Sequence, residues 1–388
     1  MSSQPCECDQ DLLGALSGTR LLDASSACQS NNQLLFGLQE GLPCLLILGN
    51  GPDRPEVRCG FASQTGTIRF LKRSSLFCVM AVTRLRRDSS LSIHGGNVAF
   101  PGYDFASHFT EIDGLRMHYL DEGQGETVVM LHGNPNWSYY YRNLVRALMD
   151  RYRCLVPDHI GCGLSDKPGD DRYPYSLERR VSDLTAWLDH CGATENLTLV
   201  VHDWGGMIGM AFATVHPERI KRLVVLNTGA FHLPKSKGVP WQLKLARSPL
   251  GAVLVRGFNA FSRGAVRSCV TRTPMPKEVA DAYCAPYDSW SNRIAVHRFV
   301  QDIPLKPGDR GYDLITAVGN RLERLKSIPM FIGWGNKDFV FDEHFLNEWI
   351  ARFPVAELHR YPDCGHYILE DASSELIPLI DKFLAQHP

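Results

Sequence analysis

The sequence predicts an α/β protein: a mostly parallel sheet with helices on both faces and one inserted helical cap. Three observations predict it. From about residue 99 onward, short runs rich in Val, Ile and Leu alternate with stretches of helical spacing, the pattern of strands buried on both faces. The alternation stops over residues 228–327 and then resumes. The chain is 388 residues long and 44% apolar, enough to bury a sizeable core.

Taken in order, residues 1–98 are the least patterned. Apolar bursts (LLFGLQ, PCLLILG, LFCVMAV) stand between Ser, Gly, Asn and Gln, and no period persists. The segment reads as a poorly ordered extension, with Met80 an alternative start and a basic cluster at Lys72, Arg73, Arg84, Arg86 and Arg87. Residues 99–227 read as the first part of an α/β core. HFTEIDGLRMHYLDEG is a hairpin turning at Asp113-Gly114. TVVMLHG is a strand, SYYYRNLVRALMD a helix and RCLVPD a strand. SLERRVSDLTAWLDHCG is a helix, with Ser176 its N-cap and Gly192 the residue past its end. LTLVVH, WGGMIGMAFATVH and RLVVLNT follow as strand, helix and strand. After the cap, residues 328–388 supply the strand PMFIGWG, a helix through Phe345–Phe353, the strand AELHRYP and a helix from Ser373.

Composition narrows the function. A net charge of −1 carries no nucleic-acid footprint. No apolar run approaches the ~20 residues that span a bilayer. The start, MSSQPCECDQ, lacks the basic and apolar stretches of a signal peptide, so a cytoplasmic location is expected. The twelve cysteines include no pair at metal-ligand spacing; Cys6 and Cys8 are too close for C-x2-C and have no matching pair. No metal and no cofactor are expected.

In open α/β sheets, ligands meet the carboxyl ends of the strands. Three chemically capable groups fall there: Asp203 after LTLVVH, Asp338 after PMFIGWGNK, and His366 after AELHRYPDCG. Singly, each has a bland reading as a helix cap, a turn residue or a polar loop residue. Together they stand in the nucleophile, acid, base order of the α/β-hydrolase fold, where a sharp strand-to-helix turn exposes the nucleophile. Gly205 lies two residues past Asp203, where a Cβ would crowd that turn, whereas Val201 replaces the first glycine of the usual motif. A carboxylate at the corner is anionic near pH 7 without help from a base. Attack on an ester carbonyl would leave it as a reactive anhydride. It suits displacement at a saturated carbon, so the expected partner is a small hydrophobic substrate with a leaving group on sp3 carbon.

The stretches HGNP (132–135), PDHIGCGLSDKP (157–168), VHDWGG (201–206), GNKDF (335–339) and CGHY (364–367) resemble α/β-hydrolases of the haloalkane dehalogenase-like group. The resemblance implies that Asp203 is the nucleophile, His366 the general base and Asp338 its orienting partner, with Asn134 and Trp204 binding the departing anion. Asn227 sits where some members keep a carboxylate, so Asp338 is expected as the sole acid. Gly161 and Gly163 are no dinucleotide fingerprint, because Asp166 stands where the third glycine belongs. The inserted stretches KGVPW, RGFNAFSRGA and APYDSWSNRIAVHRFVQDIPL, with HGNPNWSYYYRNLV, are more similar to the β-lactone decarboxylases of long-chain olefin biosynthesis. That likeness implies conversion of a cis-dialkyl β-lactone to a cis-alkene and CO2, in company with other enzymes of the same pathway. Haloalkane dehalogenation stays open. So does epoxide hydrolysis, through Tyr283, Tyr287 or Tyr312. A non-catalytic binding module on the same fold is the alternative of another class. The cap aromatics Trp241, Phe258, Phe261, Trp290 and Phe299 suit either a core of the cap or a wall for the substrate.

Overall fold

The computed structural model describes residues 100–388 throughout and, before them, four short strands: β1 (Leu45–Gly49), β2 (Val57–Phe61), β3 (Gln64–Ile68) and β4 (Phe77–Ala81). β1 pairs antiparallel with β4, and β2 with β3. At five residues each they are too short to leave a lasting period in the sequence. The expectations for residues 1–98 otherwise lie outside the described residues. The chain divides into two units, Met1–Ser89 and Ser90–Pro388, and the predicted alternation lies wholly in the second.

There, eight strands form one sheet: β5 (His108–Ile112), β6 (Leu115–Glu122), β7 (Glu126–Leu131), β8 (Tyr152–Pro157), β9 (Leu197–His202), β10 (Ile220–Leu226), β11 (Met330–Gly335) and β12 (Glu357–Tyr361). Their spatial order is β12-β11-β10-β9-β7-β8-β6-β5, and β6 alone runs against its neighbours. The β5–β6 hairpin turns where expected. Ile112 faces Leu115 across it, and Asp113 and Gly114 both have positive φ (48° and 74°), as a two-residue turn matched to strand twist requires. The helices are α1 (Arg142–Leu148), α2 (Leu177–His190), α3 (Trp204–Val215), α4 (Trp241–Arg247), α5 (Ala260–Ser268), α6 (Lys277–Cys284), α7 (Ile294–Gln301), α8 (Tyr312–Arg321), α9 (Glu343–Arg352), α10 (Ile368–Asp371) and α11 (Ser373–Gln386). The α2 signals act as read. Ser176 accepts the Arg179 N–H, and Gly192 takes the left-handed conformation just past the helix end.

Alternate residues of one strand enter opposite cores. Val129 and Leu131 of β7 pack with Leu184, Trp187 and Ile208 of α2 and α3. Val128 and Met130 pack with Leu144, Val145, Ile380 and Phe383 of α1 and α11. Each such side chain contributes about 1.5–3 kcal/mol through burial, so both faces of the strand must be apolar. β7 pairs with β8 on one side and β9 on the other, so the chain reverses its direction of sheet growth there. The crevice above its carboxyl end is the place such a sheet offers a ligand. Helices α4–α8 all fall between β10 and β11, the stretch predicted as an insertion. Among the described residues, no helix is long and apolar enough to cross a membrane.

Candidate active site

Asp203 occupies the turn from β9 into α3 with φ 49° and ψ −125°, a backbone conformation that costs a non-glycine residue about 1–3 kcal/mol. The turn is tight because α3 must start against the end of β7. A Cβ on Gly205 would lie 1.9 Å from the Leu131 carbonyl oxygen. The Asp203 side chain does not cap α3. Its Oδ2 accepts the backbone N–H of Asn134 at 2.7 Å, across from the loop that follows β7. Burial pushes the carboxyl up to about 6; His366 and the backbone N–H groups of Asn134 and Trp204 pull the other way.

Two further strand ends complete the cluster. His366 Nδ1 bonds Asp338 Oδ2 at 2.6 Å, and both residues are buried. Burial lowers the proton affinity of His366, but the adjacent Asp338 carboxylate outweighs it and raises the imidazole above its ordinary value. Asp338 is itself fixed. Its Oδ1 accepts the N–H groups of Val340 and Phe341, and its Oδ2 also accepts from Asn227 Nδ2 at 3.0 Å. Asn227, at the end of β10, spans from Asp338 to the backbone N–H and carbonyl of Gly335. It therefore braces the acid that meets His366 and is not an alternative to it. Behind His366, the His202 ring donates from Nε2 to the His366 carbonyl at 2.8 Å. Burial holds His202 far below the usual imidazole range, so it stays neutral.

Asn134, Asp203, Trp204 and His366 line one cavity of about 270 Å3, whose other walls are chiefly apolar. Asp338 stands behind His366 and does not line it. One N–H of the Asn134 amide donates to the Val296 carbonyl of α7 at 3.1 Å. The Trp204 ring packs on Phe299 at 5.2 Å between centroids. The aromatics of the insertion divide between roles. Phe261 lines the cavity, as does Trp241, which is also largely exposed; Phe299 is buried against Trp204, and Phe258 and Trp290 are exposed away from the cavity wall. Tyr283, Tyr287 and Tyr312 are not in the cavity wall. Tyr283 donates to Glu370, Tyr287 to the Asn136 carbonyl, and Tyr312 stacks on His232. No cluster of three or more His, Cys, Asp or Glu suited to a metal ion occurs among the described residues.

A family model described as the alpha/beta hydrolase fold matches residues 126–373. The chain belongs to the α/β-hydrolase fold family. Within it, the chain is 58% identical over 283 residues to a cis-3-alkyl-4-alkyloxetan-2-one decarboxylase of Shewanella oneidensis, covering 73% of this chain and 89% of the relative. An enzyme of the same name from Xanthomonas campestris is 49% identical over 300 residues, 75% of this chain and all of the relative. A haloalkane dehalogenase of Mycobacterium marinum is 33% identical over 289 residues, 71% of this chain and 92% of the relative. Among solved structures, the haloalkane dehalogenase DatA of Agrobacterium tumefaciens superposes with a TM-score of 0.66 at 23% identity. That match covers 73% of this chain and 97% of DatA and speaks for the fold alone.

Two features of this α/β-hydrolase site are absent from the sequence reading. The backbone N–H of Asn134, as a partner of Asp203, has no letter of its own and needs β7 beside β9. The brace from Asn227 to Asp338 spans 111 positions; its only sequence signal is a polar residue ending an apolar strand.

Proposed function

We propose that this α/β-hydrolase-fold enzyme converts a cis-3-alkyl-4-alkyl β-lactone to a cis-alkene and CO2, with Asp203 as the nucleophile. The observation that carries the reading is what the Asp203 carboxylate itself binds. In hydrolases that attack carbonyls, the N–H after the nucleophile and an N–H from a neighbouring strand-end loop hold the substrate oxyanion. Here the corresponding groups are those of Trp204 and Asn134, and both act on the Asp203 carboxylate. Carbonyl attack would lose that stabilisation. Displacement at a saturated carbon does not need it, because the charge departs with the leaving group.

Asp203 then attacks the ring carbon that bears oxygen, with inversion. The carbon–oxygen bond breaks and frees a carboxylate on the substrate. The Asn134 amide and Trp204 indole N–H groups are the donors available to it. The bond to that carboxylate breaks next; its electrons form the alkene, CO2 leaves, and the ester oxygen returns to Asp203 with its electron pair. Inversion followed by anti elimination is net syn loss, so a cis ring gives a cis alkene. His366 transfers no proton on this route. Its charge, backed by Asp338, opposes the burial that would neutralise Asp203. Residues 228–327 act as the cap, and the apolar cavity receives the alkyl chains. The named activity of the Shewanella and Xanthomonas relatives supports the same assignment.

Haloalkane dehalogenation is the second reading, favoured by the Asn134–Trp204 pair beside an aspartate. Epoxide opening needs a tyrosine at the cavity, and none of Tyr283, Tyr287 and Tyr312 lines it; the first two hydroxyls are bonded to Glu370 and the Asn136 carbonyl. The test offers a cis-dialkyl β-lactone and a 1-haloalkane side by side. Alkene from the first without halide from the second is the expected result; halide without alkene makes the enzyme a dehalogenase. Turnover in 18O-water adds a second check, since heavy oxygen in the Asp203 carboxyl would contradict the water-free route.

A further inference from the structure

Arg180, on α2, is 1% exposed, and none of its three guanidinium nitrogens has a hydrogen-bond partner among the described residues. A guanidinium does not lose its charge in a protein, so burying one without partners is costly. The nearby carboxylates are committed elsewhere. Asp183 accepts from Tyr173 and Arg179; Asp302 accepts the Leu177 N–H and pairs with Arg310. What the guanidinium does touch is aromatic. It lies 3.7 Å from the Phe299 ring centroid and 5.6 Å from that of Tyr175. Phe299 in turn packs on Trp204, which lines the cavity beside Asp203. The positive field of Arg180 also reaches the loop carrying Asn134. It disfavours protonation of His132 and His159, already driven down by burial. His132 accepts the His159 N–H on Nε2 and bonds the Gly133 carbonyl through Nδ1, as a neutral ring does.

We infer that Arg180 is a positioning residue for the anion side of the cavity. Through Phe299 it fixes the Trp204 indole, and it places a positive charge with no hydrogen-bonded counter-ion behind the Asn134–Trp204 pair, selecting a substrate whose displaced group is a carboxylate. The inference rests on the decarboxylase reading for the identity of that anion. It explains why Asp183 and Asp302, though close enough to feel the guanidinium, make no hydrogen bond to it: a direct ion pair would tie the charge away from the departing anion.

The test compares wild type with Arg180→Met and Arg180→Lys. It reads kcat and KM on a cis-dialkyl β-lactone and inhibition by decanoate and by decanol. Replacing a buried unpaired charge by an apolar side chain of similar length leaves the fold intact or more stable, so Arg180→Met is expected to fold. From the size of a desolvated cation–π contact, it should bind decanoate about tenfold more weakly and lose about tenfold in kcat, with decanol inhibition and KM unchanged. Arg180→Lys keeps the charge and should recover most of the decanoate affinity. If Arg180→Met does not fold, Phe299→Leu, which removes the ring between Arg180 and Trp204, carries the same expectation. Unchanged decanoate affinity, or equal weakening of decanoate and decanol, overturns the inference. Absence of alkene with the wild-type enzyme overturns the decarboxylase reading instead, and the decanoate comparison still decides the role of Arg180.

Discussion

Replacing Asp203 with Asn separates what the carboxylate costs the fold from what it does in the reaction. Burial lifts this carboxyl from an ordinary 3.8 to about 6. At 1.36 kcal/mol per pH unit, the ionised group destabilises the fold by roughly 3 kcal/mol at neutral pH. The sign follows from proton counting. As pH rises, the unfolded chain releases this proton near 3.8 and the folded chain only near 6. Between the two values folding takes up a proton, so stability falls through that window. Below it, both states hold the proton and nothing is lost; above it, the full penalty is in force. Asn carries no charge, tolerates the left-handed backbone as Asp does, and offers an oxygen to the Asn134 N–H. The variant should therefore exceed wild type by roughly 1.5 kcal/mol at pH 5 and about 3 kcal/mol at pH 8. Equilibrium urea unfolding at the two pH values measures this, and product formation should be abolished in the same preparation. A variant no more stable than wild type at pH 8, or a gain that does not grow with pH, refutes the argument that this carboxylate is held ionised against its burial.

Other substitutions probe the parts around it. Asp338→Ala removes the acceptor of four bonds and leaves His366 without the counter-charge that keeps it beside an ionised Asp203, so kcat near neutral pH should fall about tenfold, with folding weakened by about 3 kcal/mol; a pH–rate profile and thermal unfolding read both. Asn227→Ala frees Asp338 on one side only and should lower kcat about tenfold with KM unchanged, as initial-rate measurements would show. Gly205→Ala drives a methyl into the Leu131 carbonyl and should cost upwards of about 3 kcal/mol, visible as loss of soluble, cooperatively melting protein.

Much of this molecule is legible in its letters, for definite physical reasons. β7 and β9 declare themselves because Val128–Leu131 and Leu199–Val201 are unbroken apolar runs buried on both faces of the sheet. Asp203 and Asp338 stand out because each follows an apolar strand, and His366 because it follows a strand of its own, β12; strand ends are where an α/β sheet exposes chemistry. What the letters hide is long-range. Arg180 looks like any helix-surface arginine until α2 is docked and its neighbours are seen to be rings. The tyrosines of the insertion look available for epoxide chemistry until Glu370 and the Asn136 carbonyl claim two of their hydroxyls. The exposed Phe258 and Trp290, both in turns, cannot be told from the cavity-lining Phe261 of α5 by residue type, since their place in the insertion decides it.

The same two N–H groups bear on why an alkyl ester on Asp203 would eliminate and not wait for water. Once the ester forms, the oxygen facing Asn134 becomes its carbonyl oxygen, and an N–H there polarises that carbonyl. Polarisation favours water attack, which is what a dehalogenase needs. It also makes the aspartyl group a better leaving group, because the returning electron pair is stabilised in the same place. Which path wins is set by the substrate half of the ester. A haloalkane leaves no electrons next to the ester carbon, so only water can resolve it. A β-lactone leaves a carboxylate one carbon away, whose loss as CO2 delivers the electrons that expel Asp203. One pocket geometry thus serves either outcome, and on the proposed route the substrate's own carboxylate commits the intermediate to the alkene.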